Sequence, residues 1–237
     1  MKTTIYPSES RGFADHGWLK THHSFSFADY YDPSRMRFGV LRVLNDDHIE
    51  GGKGFGLHPH DNMEIITVML DGQIRHKDNM NNEMVLTKNE VQVMSAGSGI
   101  MHSEFNNDPE IPLSLLQIWI YPSDRNIQPE YHQKEFEPAE RINKWQKLVS
   151  PKGNEGLTIN QNAYLNRGEL EKDKEISYSL HSWEMGSYIF VIEGKVKIKD
   201  NTIGKRDAIG ITETDEINIK AIENSDILLI EVPMRNS

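Results

Sequence analysis

The chain has 237 residues, with 37% hydrophobic and 26% charged residues and a formal net charge of −10. These values fit a globular protein with a substantial core and disfavour disorder and direct nucleic-acid binding, which needs clustered Lys and Arg. The chain contains no cysteine, so disulfides, thiolate nucleophiles and Cys-type zinc sites are excluded.

Near the N-terminus, "MKTTIYPSESRG" lacks the apolar core of a signal peptide. The longest apolar run near either end, "ILLI" at 227–230, is too short to cross a bilayer. A cytoplasmic protein without membrane segments is the expectation. His22 and His23 precede "SFSF", where Phe25 and Phe27 alternate with serines as in a half-buried strand. Core packing with one exposed histidine is the simpler reading, and a pocket wall the functional one.

Strand signals follow at 38–44, 64–70, 90–94 and 113–121, rich in β-branched, Leu and aromatic residues. Between them lie the turn-like segments "NDD", "DG", "NMNNE", "TKNE" and "SAGSG", with hairpin signals in "LDGQ" (70–73) and "MNNE" (80–83). Residues 130–156 are polar and carry Pro138 and Pro151. They read as a linker, 131–155, with a short helix around 138–148. Strand patterning resumes at 177–184, 187–200 and 215–233, and "EGKV" (193–196) resembles the "LDGQ" turn. The expectation is two all-β units of similar build, antiparallel and barrel-like, spanning 1–130 and 156–237.

Two short stretches carry chemistry. In "GLHPHDNMEIITV", His58 and His60 share one face of a strand, and Glu64 has the same parity. In "SGIMHSEFN", His102 and Glu104 repeat the spacing. Two such pairs on facing barrel walls would gather three imidazoles and a carboxylate, a set suited to one borderline divalent metal with positions left open for a ligand. From the residues alone, either Glu64 or Glu104 could supply the carboxylate. Phe55, Met63 and Met101 border these ligands and are candidates to contact a flat aromatic substrate. His16, His48, His76, His132 and His181 lack a partner at ligand spacing and read as surface or hydrogen-bonded histidines. "SAGSG" is a sharp turn that would aim His102 inward, not a phosphate loop.

"GGKGFGLHPHDNMEIITVMLDG" resembles the first cupin motif: Gly52, five residues, HxH, three residues, Glu64, then Gly72. The last gap is seven residues where the general motif has six. "AGSGIMHSEFN" resembles the second motif, without its proline. Both departures, and "DHGWLKTHHSFSFADYYDPSRMRFGVLRVLNDD" (15–47), are similar to the pirin branch of the cupins. This resemblance implies an all-β bicupin made of two antiparallel, jelly-roll-like β-barrel domains. The N-terminal domain would hold the metal, and "LHSWEMGSYIFVIEG" would begin a C-terminal cupin that has lost it. It also implies the ligand set His58, His60, His102 and Glu104, with Glu64 structural, and Fe(II) as the first choice of metal before Mn, Co, Ni, Cu or Zn. The implied function is quercetin 2,3-dioxygenase activity, cleaving a flavonol with O2 and releasing CO, with Glu104 as catalytic base and a small aromatic substrate as partner. A metal-dependent binding or regulatory protein with a protein partner is the alternative. A sugar-phosphate isomerase, for which Arg75 and Lys77 would have to face inward, is a third.

Overall fold

A computed structural model describes residues 1–151 and 155–235. Positions 152–154 of the expected linker and 236–237 of the expected second unit lie outside the described residues. In the first half the strands are β1 (Lys2–Tyr6), β2 (Gly12–Asp15), β3 (Leu19–His23), β4 (Leu41–Ile49), β5 (Gly54–His60), β6 (Glu64–Asp71), β7 (Gln73–Asp78), β8 (Glu83–Thr87), β9 (Glu90–Ser95), β10 (Ile100–Asn106), β11 (Leu113–Ile120) and β12 (Glu130–Glu135). In the second half they are β13 (Gln146–Pro151), β14 (Leu157–Ile159), β15 (Tyr164–Leu170), β16 (Glu175–Ser179), β17 (Met185–Glu193), β18 (Lys195–Ile198), β19 (Asn201–Gly204), β20 (Ala208–Thr212), β21 (Glu216–Ala221) and β22 (Ser225–Pro233). Two short 3-10 turns, Ser8–Ser10 and Pro138–Arg141, are the only helical elements among the described residues. Among the described residues no helix is long and apolar enough to cross a membrane.

The fold is all-β and comprises two cupin domains. In the first, a seven-stranded sheet ordered β12-β9-β6-β11-β4-β3-β2 faces a four-stranded sheet ordered β5-β10-β7-β8. The second repeats the plan with β1-β20-β17-β22-β15-β13-β14 and β16-β21-β18-β19. The first strand is exchanged: β1 pairs antiparallel with β20, in the sheet of the second domain.

Alternation along the large-sheet strands divides their side chains between two cores. Ile66 and Val68 of β6, Leu116 and Ile118 of β11, Tyr188 and Phe190 of β17, and Leu228 and Ile230 of β22 share one buried cluster between the two domains. Ile65 and Met69 face the first barrel's interior, and Ile189, Val191, Ile227 and Leu229 that of the second. These strands are buried on both faces and so read as unbroken apolar runs.

Several local expectations are corrected. "NDD" is not a turn. Asn45, Asp46 and Asp47 continue β4, and their polarity reflects a polar interior, since Asn45 and Asp47 are buried. Nor does "LDGQ" make a hairpin: β6 and β7 belong to different sheets, and Gly72, at φ 75°, turns the chain from one to the other. Gly194 in "EGKV", at φ 84°, makes the same corner between β17 and β18. "MNNE" does lie in a hairpin, β7–β8. The stretch expected to be a linker carries β12, paired with β9, and β13, paired with β15. Its helix is one 3-10 turn, because Gln146 to Val149 are claimed by the second large sheet. Residues 24–27 form no strand beyond the single bridge of Phe27 to Tyr30.

Candidate metal centre

β5 is the edge strand of the first small sheet, the position in a sheet where a proline such as Pro59 is tolerated. Antiparallel pairing with β10 sets His58 opposite His102 and His60 opposite Ile100, with a bulge between His102 and Glu104. The ring centroids lie 4.4 Å (His58–His102), 4.8 Å (His58–His60) and 4.8 Å (His60–His102) apart. One nitrogen from each of His58, His60 and His102 falls within 4.8 Å of the others. His58 Nδ1 donates to the Gly56 carbonyl at 2.7 Å, leaving its Nε2 lone pair free to ligate.

Glu104 is buried and belongs to a second group, with His102 and His76, at the same 4.8 Å limit. Its Oε2 accepts from Gln117 Nε2 at 3.3 Å. Glu104 Oε1 and His102 Nε2 are both buried with no hydrogen-bond partner among the described residues. A buried acceptor without a donor is costly, and two of them beside converging imidazoles fit a divalent cation of the transition row.

Burial, reinforced by the neighbouring rings, keeps His60 and His102 neutral. Desolvation and then His58 push His60 down to about 4. Desolvation and then His58, His60 and His76 push His102 down to about 2. Glu104 is held up to about 7, chiefly by burial and then by the nearby Asp47 carboxyl. Asp47 is raised by burial to about 7 as well.

The remaining candidates are scattered. Phe55 stands edge-on to His58 at 6.3 Å and lines a cavity of about 410 Å³ with His23, Phe27, Tyr30 and Asp47. His23 is buried there, with Nδ1 2.9 Å from Asn45 Oδ1. Met63 packs against Ile65, Met94, Ala96 and Ile100, away from that cavity. Met101 is 38% exposed, on the strand face opposite to the buried His102. Glu64 is in neither ligand group. Its Oε2 accepts from Ser95 Oγ at 2.7 Å and from the Asn160 backbone N–H at 3.3 Å, tying the two domains together. Its parity with His58 and His60 does not survive the break at Asn62, where φ is 45°. Within β6, Glu64 shares the face of Ile66 and Val68, which looks toward the second domain.

His76 is fully buried and sits against His102, not on the surface. "RHKD" carried the signal: His76 and Asp78 alternate inward while Arg75 and Lys77 point to solvent. That outward orientation removes the feature a sugar-phosphate site would need. Trp119, missed in the apolar run of β11, stands edge-on to His60 at 4.9 Å. In the second barrel the buried Glu231 accepts from Tyr178 Oη, His181 N and His181 Nδ1, each at 2.7 Å.

Two facing double-sheet barrels, the first with a cluster of inward imidazoles and a carboxylate, define a bicupin with a candidate metal-binding group. The chain belongs to the pirin family. The family model "Pirin" matches residues 6–120, and the model "Quercetinase C-terminal cupin domain" matches residues 147–232. The chain is 41% identical to the quercetin 2,3-dioxygenase of Escherichia coli K12 over 227 residues, covering 95% of this chain and 96% of that one. It is 40% identical to a pirin-like protein of Caulobacter vibrioides, at 95% and 97% coverage. Among solved structures, the bacterial pirin YhhW of Escherichia coli in complex with nickel(II) superposes with a TM-score of 0.93 at 39% identity, covering 98% of this chain and 99% of that one.

Proposed function

We propose that this chain is a metal-dependent dioxygenase that opens the ring of a flavonol such as quercetin with O2 and releases CO. The observation that carries the reading is the pair of buried, unpartnered acceptors, His102 Nε2 and Glu104 Oε1, beside the His58 and His60 rings, with Phe55 linking His58 to an aromatic-lined cavity. The name of the Escherichia coli relative supports the substrate class.

His58, His60, His102 and Glu104 would hold one divalent ion, Fe(II) first among the metals such a set accepts. When bound, the ion supplies a Lewis acid that acidifies the flavonol 3-hydroxyl. Three neutral imidazoles and one carboxylate leave a divalent centre with net charge +1, which favours the flavonolate over the neutral flavonol. Glu104, anionic once it serves as a ligand, accepts the hydroxyl proton as general base. Gln117 steadies the other carboxylate oxygen. Phe55 and Phe27 supply flat apolar walls that exclude water from an aromatic ligand.

Elemental analysis followed by a quercetin assay in air tests this. His58→Ala and His102→Ala are expected to lose the metal, and Glu104→Gln to keep much of it while losing turnover, a drop of about 10²–10⁴-fold for a removed general base. Unchanged metal content in both histidine variants sinks the ligand set. Absence of flavonol turnover with Fe, Mn, Co, Ni and Cu sinks the dioxygenase reading and leaves a metal-dependent binding role.

A further inference from the structure

His76 on β7 has both ring nitrogens engaged. Nε2 lies 3.1 Å from Asp78 Oδ2, and Nδ1 lies 3.3 Å from Nδ1 of His102. Asp78 is itself saturated with donors: Oδ1 accepts the backbone N–H of Met80 at 2.9 Å and of Asn82 at 3.0 Å, and Oδ2 accepts the Asn82 side-chain amide at 2.8 Å. Tyr131 lies over the His76 ring at 4.6 Å, with its hydroxyl held by Gln133 at 2.7 Å. The ring is therefore clamped in plane and in rotation.

Hydrogen-bond direction follows from these partners. A carboxylate only accepts, so the proton of neutral His76 sits on Nε2. His76 Nδ1 is then a bare lone pair, and the hydrogen in the contact between the two rings must come from His102 Nδ1. With its single proton placed there, His102 keeps a lone pair on Nε2, the buried atom that has no partner among the described residues. Resting on the metal-centre reading above, we infer that Asp78 and His76 are positioning residues. They form a two-step tautomer relay that presents His102 Nε2 to the metal. A carboxylate commonly orients a ligating histidine directly; here an imidazole is interposed, so the anchoring charge sits one ring further from the metal.

Asp78→Asn is the discriminating substitution, because it reverses the chain instead of deleting it. The two backbone N–H groups hold the new amide's oxygen at the Oδ1 position, its NH2 faces His76 Nε2, and the Asn82 amide that donated to Oδ2 flips to present its oxygen. His76 must then accept there and donate from Nδ1, which drives the His102 proton onto Nε2. A single carboxylate-to-amide change imposes the wrong tautomer in the same way in catalytic triads.

Imidazole ¹⁵N–¹H correlation spectra of the metal-free protein read the proton positions directly, and chelator competition reads zinc(II) affinity. The wild type is expected to show His102 protonated on Nδ1. Asp78→Asn is expected to move that proton to Nε2 and to weaken zinc binding by about 10–100-fold, with the metal-free melting temperature little changed. Nε2 protonation of His102 in the wild type overturns the relay. So does unchanged zinc affinity in a variant whose tautomer has reversed, or zinc-induced ¹⁵N shifts that make His76 itself a ligand. A wild type that binds no zinc, Fe(II) or Ni(II) refutes the metal centre instead, and the metal-free spectrum then still decides the proton positions.

Discussion

Asp47 and Glu104 are two buried carboxyls, and burial pushes both up to about 7, with the Asp47 carboxyl adding to the rise at Glu104. For Asp47 the consequence is a stability that falls with pH. In the unfolded chain it ionises near its ordinary value of 3.8, while in the folded chain it holds its proton to about 7. Between those values the folded state binds more protons than the unfolded one, so rising pH favours unfolding until the folded group has also ionised. Asp47→Asn removes this penalty. The metal-free variant is expected to melt higher than wild type at pH 8, by on the order of 5 °C, and at nearly the same temperature at pH 4. Thermal scans at the two pH values check this; an equal shift at both would mean that burial of the charge is not the cause.

The strands show which features the sequence carried and which it concealed. The pair β5–β10 that carries the candidate ligands was legible, because HPH and HSE each place two potential metal donors on one face. The corner residues were visible as turns, but their role was not. "DG" signals a reversal in either a hairpin or a sheet change, and only tertiary pairing separates the two. "NDD" misled for a physical reason: polar residues that line a cavity look like polar residues in a loop. Strand β12 was hidden among charged residues, as exposed edge strands often are, and β13 was hidden because its apolar core, Leu148 and Val149, is only two residues long before Pro151. Glu64 was misplaced in parity because strand periodicity restarts after a left-handed residue such as Asn62. The "SAGSG" turn was legible and can be tested. Gly97, at φ 48°, sits where an added Cβ would meet the carbonyl of Ile127. Gly97→Ala should cost about 1–3 kcal/mol and lower metal occupancy by displacing the start of β10. Denaturant melts and elemental analysis read both effects, and a fully stable, fully metallated variant contradicts this account of the turn.

At the scale of the molecule, the two barrels are bound by the apolar layer between their large sheets, by the Glu64–Asn160 link and by the exchanged β1. Tyr6 of β1 packs against Phe25 and Tyr188, and Ser8 N donates to Asp207 at 2.7 Å. Removing residues 1–7 bares the edge of β20, an otherwise buried strand. The truncated protein is expected to lose several degrees of melting temperature, at about 2–4 °C per kcal/mol for a chain of this size, and to self-associate through the open edge. Its metal stoichiometry should not change, because the four candidate ligands lie on β5 and β10, in the small sheet of the first domain. Calorimetry and size-exclusion chromatography test this, and a monomer with the wild-type melting temperature refutes it.

The exchange of β1 also bears on synthesis. Lys2–Tyr6 is synthesised roughly 200 residues before its partner Ala208–Thr212, a delay of about 10–40 s at typical elongation rates. Through that interval the segment must remain unpaired beside a first barrel that is already able to collapse. Its composition suits the wait: the two threonines and the lysine make it a poor template for aggregation, and none of its residues is fully buried even in the finished fold. A strand made early is thus among the last to pair, and it closes onto the second barrel only after β20 has been synthesised.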